Sequence, residues 1–197
     1  MRAEADAIPW LHGYEEALAA ARAQRRPILL QFERERCAGC RKLDAETYRD
    51  PDVQAEVTAW FVPLRLDIRR DRVVRARLHA IWTPSFYVLD ASGKNYFVHE
   101  GYVPAQDLRI VLRLGWAAYA LPRGQYEEVI VRLDEAVERF PEHPRTPALM
   151  LRRGMARYLK TWDHHAFRDE MRRIIERFPG SAEARMWPWD EPPFAPG

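Results

Sequence analysis

Apolar and polar positions change rhythm several times up to about Leu121 and keep a single rhythm beyond it. Tyr14 to Gln24 is rich in Ala, Glu and Arg with Leu18 on its apolar side, which predicts a helix that stops before Pro27. Ile28-Leu29-Leu30-Gln31-Phe32 follows as a short, mostly apolar run bounded by charge, the pattern of a buried central strand. From Cys37 to about Tyr48 the residues favour helix. Arg49-Asp50-Pro51 then stops that helix and starts another, because Asp50 can cap and Pro51 fits the first helical position. This second helix runs through Val57 and ends near Trp60. Phe61 to Asp67 reads as a strand and Arg72 to His79 as a short helix. Pro84 to Leu89 is apolar and aromatic, turns at Asp90-Ala91-Ser92-Gly93 and returns as Asn95 to Glu100, which predicts a hairpin. Leu108, Val111, Leu112, Gly115, Trp116 and Tyr119 fall at helical spacing in one long amphipathic helix. Strand-helix-strand units joined to a terminal hairpin predict an α/β fold, a central mixed sheet flanked by helices on both faces.

A Pro/Gly boundary, Leu121-Pro122-Arg123-Gly124, closes this first domain, residues 1–121. Residues 122–187 carry helical patterns only. Glu138-Arg139-Phe140-Pro141 recurs as Glu176-Arg177-Phe178-Pro179, a period of 38 residues. In each copy a helix, Tyr126 to Phe140 or Ala166 to Phe178, ends in that tetrapeptide and is expected to lead through polar residues into another helix. Helix pairs repeating every 34 to about 47 residues mark helical-hairpin arrays, so a small all-α, tetratricopeptide-like extension is expected. Two such units are too few to stand alone, and the extension is expected to pack on the first domain. The remaining residues, 188–197, are rich in Pro and aromatic residues and read as an extended strap.

Composition narrows the partners. A hydrophobic share of 47% supports a real core and excludes wholesale disorder. Lys+Arg 31 against Asp+Glu 29, interspersed along the chain, gives no basis for a nucleic-acid or anionic-membrane partner. The most apolar stretch, Ala80 to Leu89, is interrupted by Thr83, Pro84 and Ser85, so no membrane span is expected. Met1 to Trp10 carries two acids and a proline where a secretory leader needs a basic end and an apolar run, which points to the cytoplasm.

Two cysteines are too few to staple a chain of this length. They sit together as Cys37-Ala38-Gly39-Cys40, between a predicted buried strand and a helix. A helix N-terminus offers unpaired N–H groups and partial positive charge, which favour a thiolate at Cys37; thiol pKa values in such motifs fall to roughly 3.5–7.5 from about 8.5. The spacing puts Cys40 one turn along, within bonding reach, and small intervening residues leave the first sulfur accessible. Cys37 can then attack a partner disulfide and Cys40 can resolve the mixed disulfide. Two other readings stand beside this one. Half of a zinc site would need two more ligands from His12, His79, His99, His143, His164 and His165, none at a familiar spacing. Two inert thiols would be poorly hidden at a strand-to-helix junction. No metal and no cofactor are called for.

The ordered set of segments resembles the thioredoxin superfamily, in particular bacterial thioredoxin-like proteins including the electron-donating domain of the disulfide interchange protein. It runs from Trp10 with Glu15-Glu16-Ala17-Leu18, through Arg26-Pro27-Ile28-Leu29-Leu30 and the cysteine motif with Arg41-Lys42-Leu43, to Asp50-Pro51-Asp52-Val53, Phe61 to Asp67 and Trp82-Thr83-Pro84. The resemblance covers about Trp10 to Tyr119. It implies a thioredoxin-like fold in which Pro84 is cis and faces the cysteines, while Thr83 pairs with the substrate backbone. Three positions depart from the pattern. Arg36 stands where Trp is common before the first cysteine, adding charge and removing a flat apolar surface. Gln31 stands where thioredoxin has a buried acid, leaving water, Glu33 or Glu35 to take the Cys40 proton. Glu33-Arg34-Glu35-Arg36 is charged where the loop is usually apolar, and reads as a solvated, self-neutralising stretch, with selection of a charged partner as the alternative.

The resulting expectation is a thiol-disulfide oxidoreductase: Cys37 attacking, Cys40 resolving, and Thr83, Pro84 and Arg36 contacting a protein disulfide substrate. A thiol donor would supply electrons, and a dedicated protein partner could bind through the helical extension. The alternative is a non-catalytic interaction module that keeps the fold as a scaffold. His164-His165 beside Trp162 and the helical Trp and Tyr residues read as surface and packing groups.

Overall fold

The computed structural model describes residues 8–187. The chain divides into two compact units, the first ending at Tyr119 and the second beginning at Ala120.

In the first unit, four strands form one mixed sheet, Ile28–Glu33 (β1), Val62–Asp67 (β2), Ser85–Leu89 (β3) and Asn95–Glu100 (β4), in the order β2-β1-β3-β4. β1 pairs parallel to β2 from Ile28 opposite Val62 to Glu33 opposite Asp67, and antiparallel to β3 from Ile28 opposite Leu89 to Phe32 opposite Ser85. Interior position explains the composition of β1, whose first five residues are all buried. The hairpin β3–β4 turns where expected: the Asp90 carboxylate accepts hydrogen bonds from the amides of Ser92 (2.8 Å) and Lys94 (3.1 Å), and Gly93 supplies the left-handed residue (φ 81°). Leu11 adds an isolated parallel bridge to Leu64 and covers part of the outer edge of β2.

Helices cover both faces. Ile28, Leu30 and Phe32 point with Leu64, Leu66, Tyr87 and Leu89 into a core shared with Ala17, Leu18 and Ala21 of Tyr14–Gln24 (α1) and Val74 of Arg72–Arg77 (α4). On the other face Ala105–Ala120 (α5) comes so close that a Cβ on Gly115 would lie 2.7 Å from Val88 Cγ2 and 3.1 Å from Phe97. Along the chain between β1 and β2 lie Ala38–Ala45 (α2), a 3-10 turn at Thr47–Arg49, and Pro51–Trp60 (α3). The restart signal is built as the residues dictate, with Asp50 capping the amides of Asp52 (2.9 Å) and Val53 (3.0 Å) and Pro51 opening the helix. Glu56 of α3, nearly buried, bonds Arg109 and Arg113 of α5 at 2.7 and 2.6 Å and ties the two helices together.

The second unit holds three helices among its described residues, Tyr126–Arg139 (α6), Thr146–Thr161 (α7) and His164–Arg177 (α8), with α7 packed on both others. α6 buries Val129, Leu133, Ala136 and Val137, one helical stripe. Gly154 lets α8 approach α7: its missing Cβ would stand 3.0 Å from the Glu170 side chain. The repeated tetrapeptide has similar cap geometry in its two copies. Phe140 and Phe178 cap their helices at φ −123°, ψ 54° and φ −134°, ψ 55°, each donating its N–H four residues back. The second copy departs from expectation at its exit. Among the described residues after Phe178 there is only a 3-10 turn, Ala184–Met186, and no second helix of a pair. The expected strap, 188–197, lies outside the described residues, as do residues 1–7. No helix among the described residues is long and apolar enough to cross a membrane.

Candidate redox site

Beyond β1 the chain passes the exposed residues Arg34, Glu35 and Arg36, with Arg36 in the left-handed region (φ 59°), and enters α2. Cys37 is the N-cap of that helix, and its Sγ accepts the Cys40 amide N–H at 3.1 Å. The sulfur thus sits where a helix concentrates unpaired donors and positive potential. Cys37 and Cys40 are joined as a disulfide with their Cα atoms 5.2 Å apart.

Both cysteines are 4% exposed. The small loop residues were expected to leave Cys37 open, and burial corrects that: their smallness admits protein rather than solvent. A Cβ on Gly39 would stand 2.8 Å from Pro84 Cδ and 3.6 Å from Tyr102 Cβ, so the pyrrolidine ring lies against the motif. The Thr83–Pro84 peptide is cis. The Ser85 hydroxyl donates to the Trp82 carbonyl (2.9 Å) and the Gly101 amide to the Pro84 carbonyl (2.8 Å), which pins this corner to β3 and the start of the next loop. Across the motif, the Tyr102 hydroxyl donates to Glu46 (3.1 Å), and Lys42 lies 4.6 Å over the Tyr102 ring. Thr83 is half-buried, whereas Trp82 and Ile81 before it are 59% and 77% exposed.

Gln31 is fully buried in β1 and accepts a hydrogen bond from the Tyr48 hydroxyl, while its amide nitrogen has no partner. Burial drives the Tyr48 phenol far above its ordinary pKa. Tyr48 stacks at a tilt on Trp10 (centroids 5.4 Å apart), and the Arg65 guanidinium lies 4.6 Å from Trp10 and 5.5 Å from Tyr48. Arg65 also pairs with Asp44 (2.9 Å) and reaches Glu33 (3.5 Å). Burial raises the Glu33 carboxyl and the Arg65 charge partly opposes that rise. Of the two acids offered as proton acceptors, Glu33 faces Arg65 and Glu35 is exposed on the turn. Asp163, His164 and His165 bring their potential ligand atoms within 4.8 Å of one another, all exposed, with Asp163 already capping α8 through the His165 amide (2.9 Å).

Sequence reasoning named Cys37, Cys40, Thr83, Pro84 and Arg36, and all five lie in the cysteine motif, next to it, or at the proline that meets it through Gly39. It missed Gly39 as the contact to Pro84, Tyr48 as the partner of Gln31, and the arginines of the loop after β2. The run Ile68-Arg69-Arg70-Asp71-Arg72 was the available signal for the last.

A cysteine pair capping a helix beside a cis proline, on a four-stranded mixed sheet with helices on both faces, defines a class of proteins built around a CxxC disulfide. The model of the family described as a thioredoxin-like domain matches residues 14–116, and the chain belongs to that family. Solved structures similar to it include a thioredoxin from Thermus thermophilus, 25% identical with a TM-score of 0.49 over 55% of this chain and 86% of that one. The oxidoreductase DsbH is 18% identical, TM-score 0.45, over 52% and 82%. The oxidised DsbD C-terminal domain of Neisseria meningitidis is 17% identical, TM-score 0.41, over 47% and 84%. No curated protein sequence matches the chain.

Proposed function

We propose that the protein exchanges disulfides with a protein substrate through Cys37 and Cys40. The observation that carries this is the Cys37–Cys40 disulfide at the N-cap of α2, with Gly39 against the cis Pro84. In the reduced form, the Cys37 thiolate attacks a substrate disulfide, making one mixed disulfide and releasing one substrate thiolate. The Cys40 thiolate then attacks Cys37 Sγ, releasing the second substrate thiolate and leaving the intramolecular disulfide. A dithiol donor returns two electrons and two protons by the same steps in reverse. Thr83 and Pro84 form the shelf on which the substrate backbone lies, and Arg36 flanks it. Such a cycle fits a cytoplasmic setting, where thiol donors keep disulfides reduced. The helical unit serves to bind a dedicated partner.

Insulin reduction by dithiothreitol tests the reading. Wild type should accelerate it and Cys37→Ser should not; equal rates would remove the general-reductase form. Cys40→Ser should trap a mixed disulfide with substrate, released by excess dithiothreitol.

The non-catalytic module is a second reading, favoured by the burial of both sulfurs and the neutral Gln31 beneath the sheet surface. Equilibration in glutathione buffers separates the two. A pair that stays locked as a disulfide across the accessible range of potentials supports the module.

A further inference from the structure

The loop after β2 folds back on the end of β1. The Ile68 amide donates to the Glu33 carbonyl (2.9 Å), and the Asp67 carboxylate accepts the amides of Arg69 (2.7 Å) and Arg70 (3.0 Å). Beyond α4, Arg75 holds the chain that leads to the cis proline, its Nε donating to the Ala80 carbonyl (3.3 Å) while its own carbonyl accepts the Ala80 amide (3.0 Å). Two hollows result. One of about 210 Å³ begins at Thr83 and is lined by Trp82, Ile81 and the arginines 34, 69 and 75. A second of about 680 Å³ continues from it along Arg69, Arg75 and Ile81 to Arg72 and His79.

Among the described residues no carboxylate lines either hollow. The neighbouring acids are committed elsewhere: Glu33 to Arg65, Asp67 to the Arg69 and Arg70 amides, and Asp71 to the Asp67 amide (2.9 Å). Glu35 is exposed on the turn between Arg34 and Arg36 and lines neither. Among the described residues the arginines bond to backbone carbonyls where they bond at all, Arg72 to Arg69 and Arg75 to Ala80, and each is exposed. A chain with almost balanced total charge thus concentrates four guanidinium groups in one trough with two exposed apolar side chains. Guanidinium groups present paired donors that match a carboxylate, and Trp82 supplies an apolar anchor beside them.

We propose that this trough binds an acidic segment of the substrate protein, one that carries Asp or Glu next to the disulfide presented to Cys37. The proposal rests on the exchange reading for the chemistry and on the trough alone for the binding. Charge of one sign in a groove steers an oppositely charged partner and fixes its register more than it adds raw affinity.

The test separates the two. Fluorescence anisotropy on the full-length oxidised protein uses two labelled cysteine-free peptides of equal length, one rich in Asp and Trp and one with Lys in place of Asp. The acidic peptide should bind at least tenfold tighter, and the difference should fade as salt rises. Arg69→Glu, in an exposed position outside every ion pair among the described residues, should weaken it about tenfold, while Arg25→Glu, the same charge change on the turn after α1, should not. Equal binding of the two peptides, or equal loss in both variants, overturns the proposal. Tighter binding of a single-stranded oligonucleotide than of the acidic peptide overturns it as well. The same peptides carrying a disulfide then report exchange. Tight acidic binding with no exchange leaves the trough as proposed and removes the oxidoreductase reading instead.

Discussion

At Gly39 the missing side chain sets how near Pro84 can stand to the cysteines. An alanine there would place its methyl 2.8 Å from Pro84 Cδ, a rigid ring atom with no rotamer to yield. Overpacking of this kind costs about 1–3 kcal/mol. Gly39→Ala should therefore lower the urea midpoint of the oxidised protein and slow exchange with a disulfide substrate; an unchanged midpoint would show that the motif and the proline part freely. Asp90 makes a separate prediction. Burial would raise its pKa, but hydrogen bonds from the Ser92 hydroxyl and amide, the Lys94 amide and the Tyr96 hydroxyl win and hold it at about 2. A depressed carboxyl contributes stability that is present above its unfolded value, near 4, and lost as pH falls through its folded value. The stability gap between wild type and Asp90→Asn should thus be full at pH 7 and close as pH drops from about 4 to about 2. A gap that stays constant over that window in thermal melts would rule this out.

Among the elements, α3 carries a cap whose worth can be read directly. Asp50 satisfies two of the amides at its first turn, and Asp50→Ala should cost about 1 kcal/mol by chemical denaturation, with Asp50→Asn recovering most of it. Asp50-Pro51 is also why this boundary was legible in the sequence: cap and proline act through their own backbone, so local order determines them. The same holds for the Asp90–Gly93 turn and for β1, whose continuous apolar run follows from interior position. The cysteines were legible because two sulfurs three residues apart at a strand-to-helix junction have few other uses. Burial of Cys37 was not, since it follows from packing in the folded chain, where Pro84, far along the sequence, comes against Gly39. The arginine trough was hidden for a similar reason. Arg34 and Arg75 come from opposite ends of a crossover, and balanced composition conceals their convergence. At the far end of the chain the tetrapeptide repeat predicted two helix caps with matching backbone, but it carried no information on whether a further helix follows the second.

Over the whole molecule, each unit places arginine between carboxylates inside its helical packing. Glu56 meets Arg109 and Arg113 in the first unit, and Glu170, 1% exposed, meets Arg153 and Arg157 in the second, where Asp134 also pairs with both arginines. Such clusters add little over apolar packing while intact, yet removing one partner strands a buried charge and costs about 3–5 kcal/mol. Glu170→Ala should accordingly speed amide exchange across α7 and α8; unchanged protection in both helices would mean that the arginines find other partners. The thiol chemistry proposed for the first unit has its own linkage. The sulfur of Cys37 is at once a reacting atom and the acceptor that closes the first turn of α2. A thiolate accepts that N–H more strongly than a disulfide sulfur does, because the bond becomes charge-assisted and faces the positive end of the helix. Electron uptake and helix nucleation are therefore coupled in one thermodynamic cycle: whatever firms the first turn of α2 draws electrons toward the pair, and whatever frays it lets them go.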